Sequence, residues 1–365
     1  MKILNIVGTR PNFIKMAPLM EQMLKTGDIT PILLHTGQHY DENMNRVFFD
    51  QLGIPKPEVD LEVGSGTNAW QIAEIIKRFE AALDRYAPDA VLVVGDVNST
   101  LACSLVASYH KIPVFHVEAG LRSFDRNMPE EINRILTDRL SDLLFVTEKS
   151  GMKNLITEGI DSEKVHFVGN VMVDTLLKSR VLAEKSSNIL ARLKLERKSY
   201  AVMTLHRPSN VDAVGPLTSI LEAVAELAGE MPVVFSMHPR TEKRVREFNL
   251  EHLTEPLTLL PPQPYLDMLQ LMNFAQMVLT DSGGMQEETT ILAVPCLTLR
   301  ENTERPITLE QGTNVLVGSD KKKILREAGN ILKAGGKKGS RPELWDGCAA
   351  QRILQVISRW QSTSV

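Results

Sequence analysis

Carboxylates, histidines and glycine turns recur in this chain at one kind of place, directly after short apolar runs. AVLVV is followed by Gly95-Asp96-Val97-Asn98, and IPVFHV by Glu118-Ala119-Gly120. Met128-Pro129-Glu130-Glu131 then opens a helical stretch, with proline in its first turn and acids that suit the helix dipole. Capping explains Asp96 taken alone, and the dipole explains one of the two adjacent glutamates. Neither explains three acids gathered at one sheet edge, with Glu118 leaving the end of a buried strand. Acids placed in this way suit proton transfer.

A second set of residues suits an anion. Gly8-Thr9-Arg10-Pro11-Asn12 follows KILNIV and leads into a helix carrying Lys15. A glycine turn feeding a helix N-terminus offers free amides, and Arg10 and Lys15 add charge. A plain βα turn with surface cations explains the same residues. In the second half, YAVMTL delivers His206-Arg207-Pro208 and MPVVFSM delivers His238-Pro239-Arg240. MVLT delivers Asp281-Ser282-Gly283-Gly284, with Glu288 in the helix beyond, and PCLTL delivers Arg300 followed by Glu304-Arg305-Pro306. A lone histidine at a strand end is more often structural than catalytic. Two histidines, a Ser-Gly-Gly turn and Arg305 on one edge favour phosphate recognition, with Glu288 placed to grip a ribose.

Eleven apolar runs position these groups. Near-continuous Val, Ile and Leu over four to six residues predicts strands covered on both faces, hence parallel sheets. Helical spacing lies between them, as at 68–86, 100–109 and 129–140. The alternation predicts an α/β protein with doubly wound sheets, whose ligands bind beyond the carboxyl ends of the strands. A chain of 365 residues predicts two domains. They are expected at 1–172 and 173–365, joined through the helical stretch 171–198, with a terminal helix at about 348–361 able to pack back on the first domain. The first domain then carries acids and the second phosphate-binding groups. If the two face each other, the ligand is a sugar nucleotide.

Composition narrows the class. Apolar residues make up 43%, charged residues 24% and aromatics 5%, the balance of an ordinary globular protein with an aliphatic core. A net charge of −4 gives no electrostatic footprint for nucleic acid or a membrane surface. Cys103, Cys296 and Cys348 lack CxxC spacing, which argues against a disulfide framework or a zinc site. No apolar stretch is long enough to span a membrane, and MKILNIVGTRPN reaches Gly-Thr-Arg too soon for a signal peptide. A cytoplasmic protein is expected. Without a full GxGxxG fingerprint or a metal-ligand cluster, neither a nicotinamide nor a metal is expected.

Taken together, GTRPNFIKMAPL, GDVNSTLA, HVEAGLRS, MPEEINR, HRPSN, TDSGGMQEE, TERP and GTNVLVG resemble one family, the non-hydrolysing UDP-N-acetylglucosamine 2-epimerases. The resemblance runs nearly the whole chain, and the set is specific although each motif alone is weak. It implies two Rossmann-like domains of the GT-B type around a cleft, and a homodimer. By position it implies Asp96, Glu118, Glu130 (rather than Glu131) and His206 as catalytic. Arg10, Lys15, Arg134, His238, Gln263, Ser282, Gly283, Gly284, Glu288 and Arg305 are implied in nucleotide and substrate binding. The implied reaction inverts C2 of the sugar through loss of UDP, a glycal, and re-addition, in the synthesis of cell-surface polysaccharide precursors. Two departures stand out: Ile307 follows TERP where the family commonly has Glu, and Gln38-His39-Tyr40-Asp41-Glu42-Asn43-Met44 carries an extra residue.

Rival readings remain. A 2-epimerase for a UDP-diacetamido sugar would resemble this chain closely, although such relatives tend to begin GARPQF where this chain has GTRPNF. A hydrolysing relative would release free N-acetylmannosamine. A GT-B glycosyltransferase would share the fold, and a nucleotide-sugar sensor would share it without the chemistry.

Overall fold

Two all-parallel sheets organise the chain in the computed structural model, which describes residues 1–38 and 53–363. Each sheet belongs to its own compact unit. The first unit is Met1–Leu177 with Glu343–Val365, and the second is Lys178–Pro342.

The first sheet contains β1 (Lys2–Val7), β2 (Thr30–His35), β3 (Val59–Asp60), β4 (Ala90–Val94), β5 (Val114–Ala119), β6 (Leu143–Val146) and β7 (Val165–Phe167). Their order is β3-β2-β1-β4-β5-β6-β7. The second sheet contains β8 (Ala201–Thr204), β9 (Val233–Ser236), β10 (Thr258–Leu260), β11 (Met277–Thr280), β12 (Cys296–Thr298) and β13 (Asn314–Leu316). Its order, β10-β9-β8-β11-β12-β13, repeats the same winding. The winding direction reverses between β1 and β4 in one unit and between β8 and β11 in the other. These switch points leave crevices at the strand carboxyl ends, where doubly wound folds bind ligands. All five residues of β4 are buried, as strands covered on both faces must be.

The doubly wound α/β architecture agrees with the apolar runs. Strands β3 and β13 were not among those runs, because each is only two or three residues long and incompletely buried. Such strands are added at sheet edges by pairing with β2 and β12, and they leave no apolar block in the sequence.

The helix Arg10–Thr26 contains Pro18, which cannot donate to the carbonyl of Ile14. The Thr175 hydroxyl donates to that carbonyl instead, at 2.6 Å, so the buried acceptor is satisfied. The terminal helix Ala349–Thr363 lies in the first unit. Asp174 accepts from the amides of Ala349 and Ala350, and the Trp360 ring meets Phe115 edge-on at 5.2 Å. Just before this helix, Trp345 is fully buried and donates through Nε1 to the Thr147 carbonyl at 2.9 Å. Trp345→Ala is expected to cost about 3–5 kcal/mol by emptying that site. A fall in the urea midpoint checks this, and an unchanged midpoint would remove Trp345 as an anchor.

Among the described residues no helix is long and apolar enough to cross a membrane. Cys103, Cys296 and Cys348 are free.

Candidate functional site

In the first unit, the β1 turn is fixed by Asn12. Its Oδ1 accepts from the amides of Gly8 and Thr9, and its Nδ2 donates to the Val94 carbonyl at 3.0 Å. One side chain therefore joins the β1 turn to the end of β4, across the switch point. Arg10 is the half-buried first residue of the helix. One turn on, Lys15 reaches Glu118, with Nζ 2.8 Å from Oε1. Both are buried, at 6% and 3% exposure, and a charge taken so far from water needs such a partner. Gly95 lies against this pair, since a Cβ there would come within 2.9 Å of the Lys15 ammonium.

Glu118 itself adopts φ +75, in the left-handed region that non-glycine residues rarely occupy. The pairing of β5 with β6 shifts register between Val117 and Ala119, which re-aims the intervening side chain. Strain of this kind costs about 1–3 kcal/mol and concentrates at functional sites. Its source is visible only in three dimensions.

Asp96 is held by Arg134, whose Nη2 lies 2.6 Å from Oδ2, and its carbonyl accepts from Asn133. Arg134 also pairs with Glu131. The two adjacent glutamates differ sharply. Glu131 is 1% exposed and accepts from the Ser123 amide and hydroxyl and the Phe124 amide, at 2.8–2.9 Å. Glu130 is half-buried and has no hydrogen-bond or ion-pair partner among the described residues. Glu131 clamps the loop, which leaves the Glu130 carboxyl available for other work.

In the second unit, β8 and β11 are neighbours, and their ends bring His206 to Asp281. His206 Nδ1 lies 2.9 Å from Asp281 Oδ1, with His206 42% exposed at its side chain and Asp281 buried. Asp281 also accepts from the amides of His206 and Arg207 and from Asn210 Nδ2. Burial alone would raise the Asp281 carboxyl, but His206 and these amides bring it down to about 2. An acceptor on Nδ1 leaves Nε2 of His206 as the outward nitrogen. The His238 ring stands 6.0 Å from that of His206, and its Nδ1 accepts from the Arg240 amide.

Ser282 occupies the N-cap position of the helix Gly283–Leu292 at the end of β11, without a capping bond from its side chain. Gly283 leaves room for the Arg305 guanidinium, since a Cβ there would lie 2.5 Å from Nη1 and would push that side chain aside. Gly284 occupies the same first turn. Arg305 pairs with Glu304 and, through Nε at 2.8 Å, with Glu287. Arg300 reaches Glu304 at 2.7 Å and Arg207 reaches it at 3.6 Å. Burial would raise the Glu304 carboxyl, yet the Arg305, Arg300 and Arg207 guanidiniums hold it well below the usual carboxylate range. Three arginines on one buried carboxylate form a dense cationic floor beside a helix N-terminus, the chemistry that suits a diphosphate. Glu288 accepts from Tyr265 at 2.8 Å, and Gln263 accepts from Arg192 at 3.1 Å. Among the described residues no group of three or more His, Cys, Asp or Glu is placed to hold a metal ion.

A sequence model of the UDP-N-acetylglucosamine 2-epimerases matches residues 21–358. A UDP-N-acetylglucosamine 2-epimerase of Methanocaldococcus jannaschii is 44% identical over 365 residues, covering 98% of this chain and 99% of its own length. The chain belongs to the UDP-N-acetylglucosamine 2-epimerase family. The crystal structure of a UDP-GlcNAc 2-epimerase from M. jannaschii in complex with UDP-GlcNAc and UDP superposes with a TM-score of 0.92 at 43% identity, covering 98% of this chain and all of that one. A UDP-2,3-diacetamido-2,3-dideoxy-D-glucuronate 2-epimerase of Pseudomonas aeruginosa is 40% identical over 335 residues, covering 91% of this chain and 92% of its own length.

Within this epimerase family member, the first unit brings Asp96, Glu118, Lys15 and Arg134 together, and the second brings His206, His238, Gly283 and Arg305 together. Sequence reasoning did not single out Asp281 as the partner of His206, nor His116 and Asp138 behind the acid turns. Asp281 had a signal, its place at the end of β11 beside the Ser-Gly-Gly turn. The extra residue between Gln38 and Met44 falls at residues outside those described, apart from Gln38 itself.

Proposed function

We propose that this chain interconverts UDP-N-acetylglucosamine and UDP-N-acetylmannosamine by inverting C2 of the sugar. The observation that carries the reading is its near full-length likeness to a UDP-N-acetylglucosamine 2-epimerase. The site chemistry supports it. The C2 proton has no adjacent carbonyl to acidify it, so its direct removal is slow. Departure of UDP develops positive charge at C1 and makes that proton removable, giving a glycal. Re-addition of UDP with a proton delivered to the opposite face of C2 completes the inversion. Asp96, Glu118 and Glu130 supply base and acid for the two faces.

In this reading the second unit's groups hold the departing UDP. The cations around Glu304 and the amides at Ser282-Gly283-Gly284 stabilise the charge that grows on the diphosphate, and His206 acts beside them as an acceptor through its outward Nε2. Arg305→Lys keeps a cation beside Glu287 and Glu304 but loses the planar fork. UDP affinity is expected to weaken roughly 10- to 100-fold, the equivalent of one charge-assisted hydrogen bond of about 1.5–3 kcal/mol. Calorimetric titration with UDP measures this, and an unchanged affinity would remove Arg305 from the UDP site.

The deciding assay incubates the protein with UDP-N-acetylglucosamine and separates the nucleotide sugars. UDP-N-acetylmannosamine is the expected product. Free N-acetylmannosamine with UDP would instead establish the hydrolysing reaction. The Pseudomonas likeness favours a second substrate reading, a UDP-diacetamido uronate, and turnover of that sugar alone would replace the first. A cytoplasmic homodimer belongs to the same proposal. Light scattering near twice the 40.7 kDa of one chain checks the dimer.

A further inference from the structure

Behind the two acid-bearing turns of the first unit lies a buried pair that the chemistry above does not use. His116 stands in β5 two residues before Glu118, and Asp138 on the helix Pro129–Leu140. They are 0% and 1% exposed. His116 Nδ1 is 2.7 Å from Asp138 Oδ1, and Nε2 is 2.8 Å from the Gly95 carbonyl oxygen. A carbonyl only accepts, so Nε2 carries a proton, and a second proton occupies the Nδ1–Oδ1 line. The other carboxylate oxygen, Asp138 Oδ2, accepts from the Gly120 amide at 3.1 Å and from Arg122 Nη1 at 2.7 Å. One imidazole–carboxylate pair is thus bonded to the residue before Asp96 and to the second residue after Glu118.

Both turns need such a clamp. Glu118, at φ +75, holds a strained conformation that persists only where its surroundings over-determine it, while Gly95 and Gly120, at φ +69 and +79, are free to turn this way and need partners to pin them. We propose that His116 and Asp138 are positioning residues that set the Asp96 turn and the Glu118 bulge from one shared unit. Its kinetic consequence rests on the epimerase reading. The coupling of the two turns rests on the hydrogen bonds alone.

Donor and acceptor counting supplies the test. Asp138→Asn preserves every hydrogen bond, while Arg122 keeps Glu158 as its charged partner: the asparagine oxygen still accepts from Gly120 and Arg122, its amide donates to Nδ1, and Nε2–H still serves Gly95. His116→Gln breaks the chain, because its amide donates to Gly95 or to Asp138 while its oxygen faces the other acceptor. Adding Asp138→Asn to His116→Gln supplies the missing donor.

The experiment measures kcat, KM and UDP affinity, with amide hydrogen exchange over residues 93–97 and 118–122, for the native protein, both single variants and the double variant. In His116→Gln, kcat is expected to fall roughly 10- to 100-fold, as misplacement of about an ångström does, with KM and UDP affinity held. Exchange should rise in both segments. Asp138→Asn should stay near native, and the double variant should recover both kcat and protection. Native-like kcat and exchange in His116→Gln, or a double variant no better than that single one, would overturn the proposal. If His116→Gln does not fold, Asp138→Ala, which severs the links, is set against Asp138→Asn, which keeps them. Equal kcat in those two would overturn the proposal as well. A native protein inactive on UDP-N-acetylglucosamine would sink the functional reading, while exchange would still decide whether the pair couples the two turns.

Discussion

Asp96→Asn lowers turnover of UDP-N-acetylglucosamine by roughly 10²- to 10⁴-fold, the usual contribution of a positioned general acid or base. The substitution keeps the shape of the side chain and a carbonyl oxygen that Arg134, now 2.6 Å from Oδ2, can still reach. What it removes is the ability to take up and return a proton. UDP affinity should be unchanged, because the groups proposed to hold UDP belong to the second unit. Steady-state kinetics and UDP calorimetry on the same preparation separate the two effects. Near-native turnover would take Asp96 out of the chemistry, and a matching loss of UDP affinity would make it a binding residue instead.

Asp281→Asn should cost a similar roughly 10²- to 10⁴-fold through the histidine it orients. In the native protein the Asp281 carboxylate accepts from His206 Nδ1, leaving the Nε2 lone pair outward. An asparagine turns its amide toward Nδ1, and the neutral ring then carries its proton on Nε2. The outward nitrogen changes from acceptor to donor without moving. His206→Ala should fall as far, and the double variant should fall no further, because residues acting as one unit are not additive. Comparing kcat across the two single variants and the double checks this. Additive losses would mean that Asp281 acts apart from His206.

Much of this architecture was legible from apolar blocks. Strands such as AVLVV and MVLT announce themselves because both faces are covered, and the chemistry follows at their carboxyl ends. The pairing of His206 with Asp281 was not legible, because 75 residues separate them and only the adjacency of β8 and β11 brings them together. The roles of Glu130 and Glu131 divide on burial, which two identical neighbours in a sequence do not reveal. Lys15 and Arg305 read as cations for an anion, whereas each is already engaged, with Glu118 or with Glu287 and Glu304, as Arg134 is with Asp96 and Glu131. Such pairing depends on folded geometry. It keeps buried charge satisfied while holding the cations in place beside the strand ends.

The central claim, that C2 is inverted through loss and return of its proton, is tested most directly by proton NMR in D₂O. The purified protein is incubated with UDP-N-acetylglucosamine, without added metal or cofactor. The expected result is a manno epimer carrying deuterium at C2, because a proton removed to an acid and replaced from solvent must exchange. A manno epimer that keeps its original C2 proton would contradict proton traffic through Asp96, Glu118 and Glu130, and absence of any epimer would contradict the substrate.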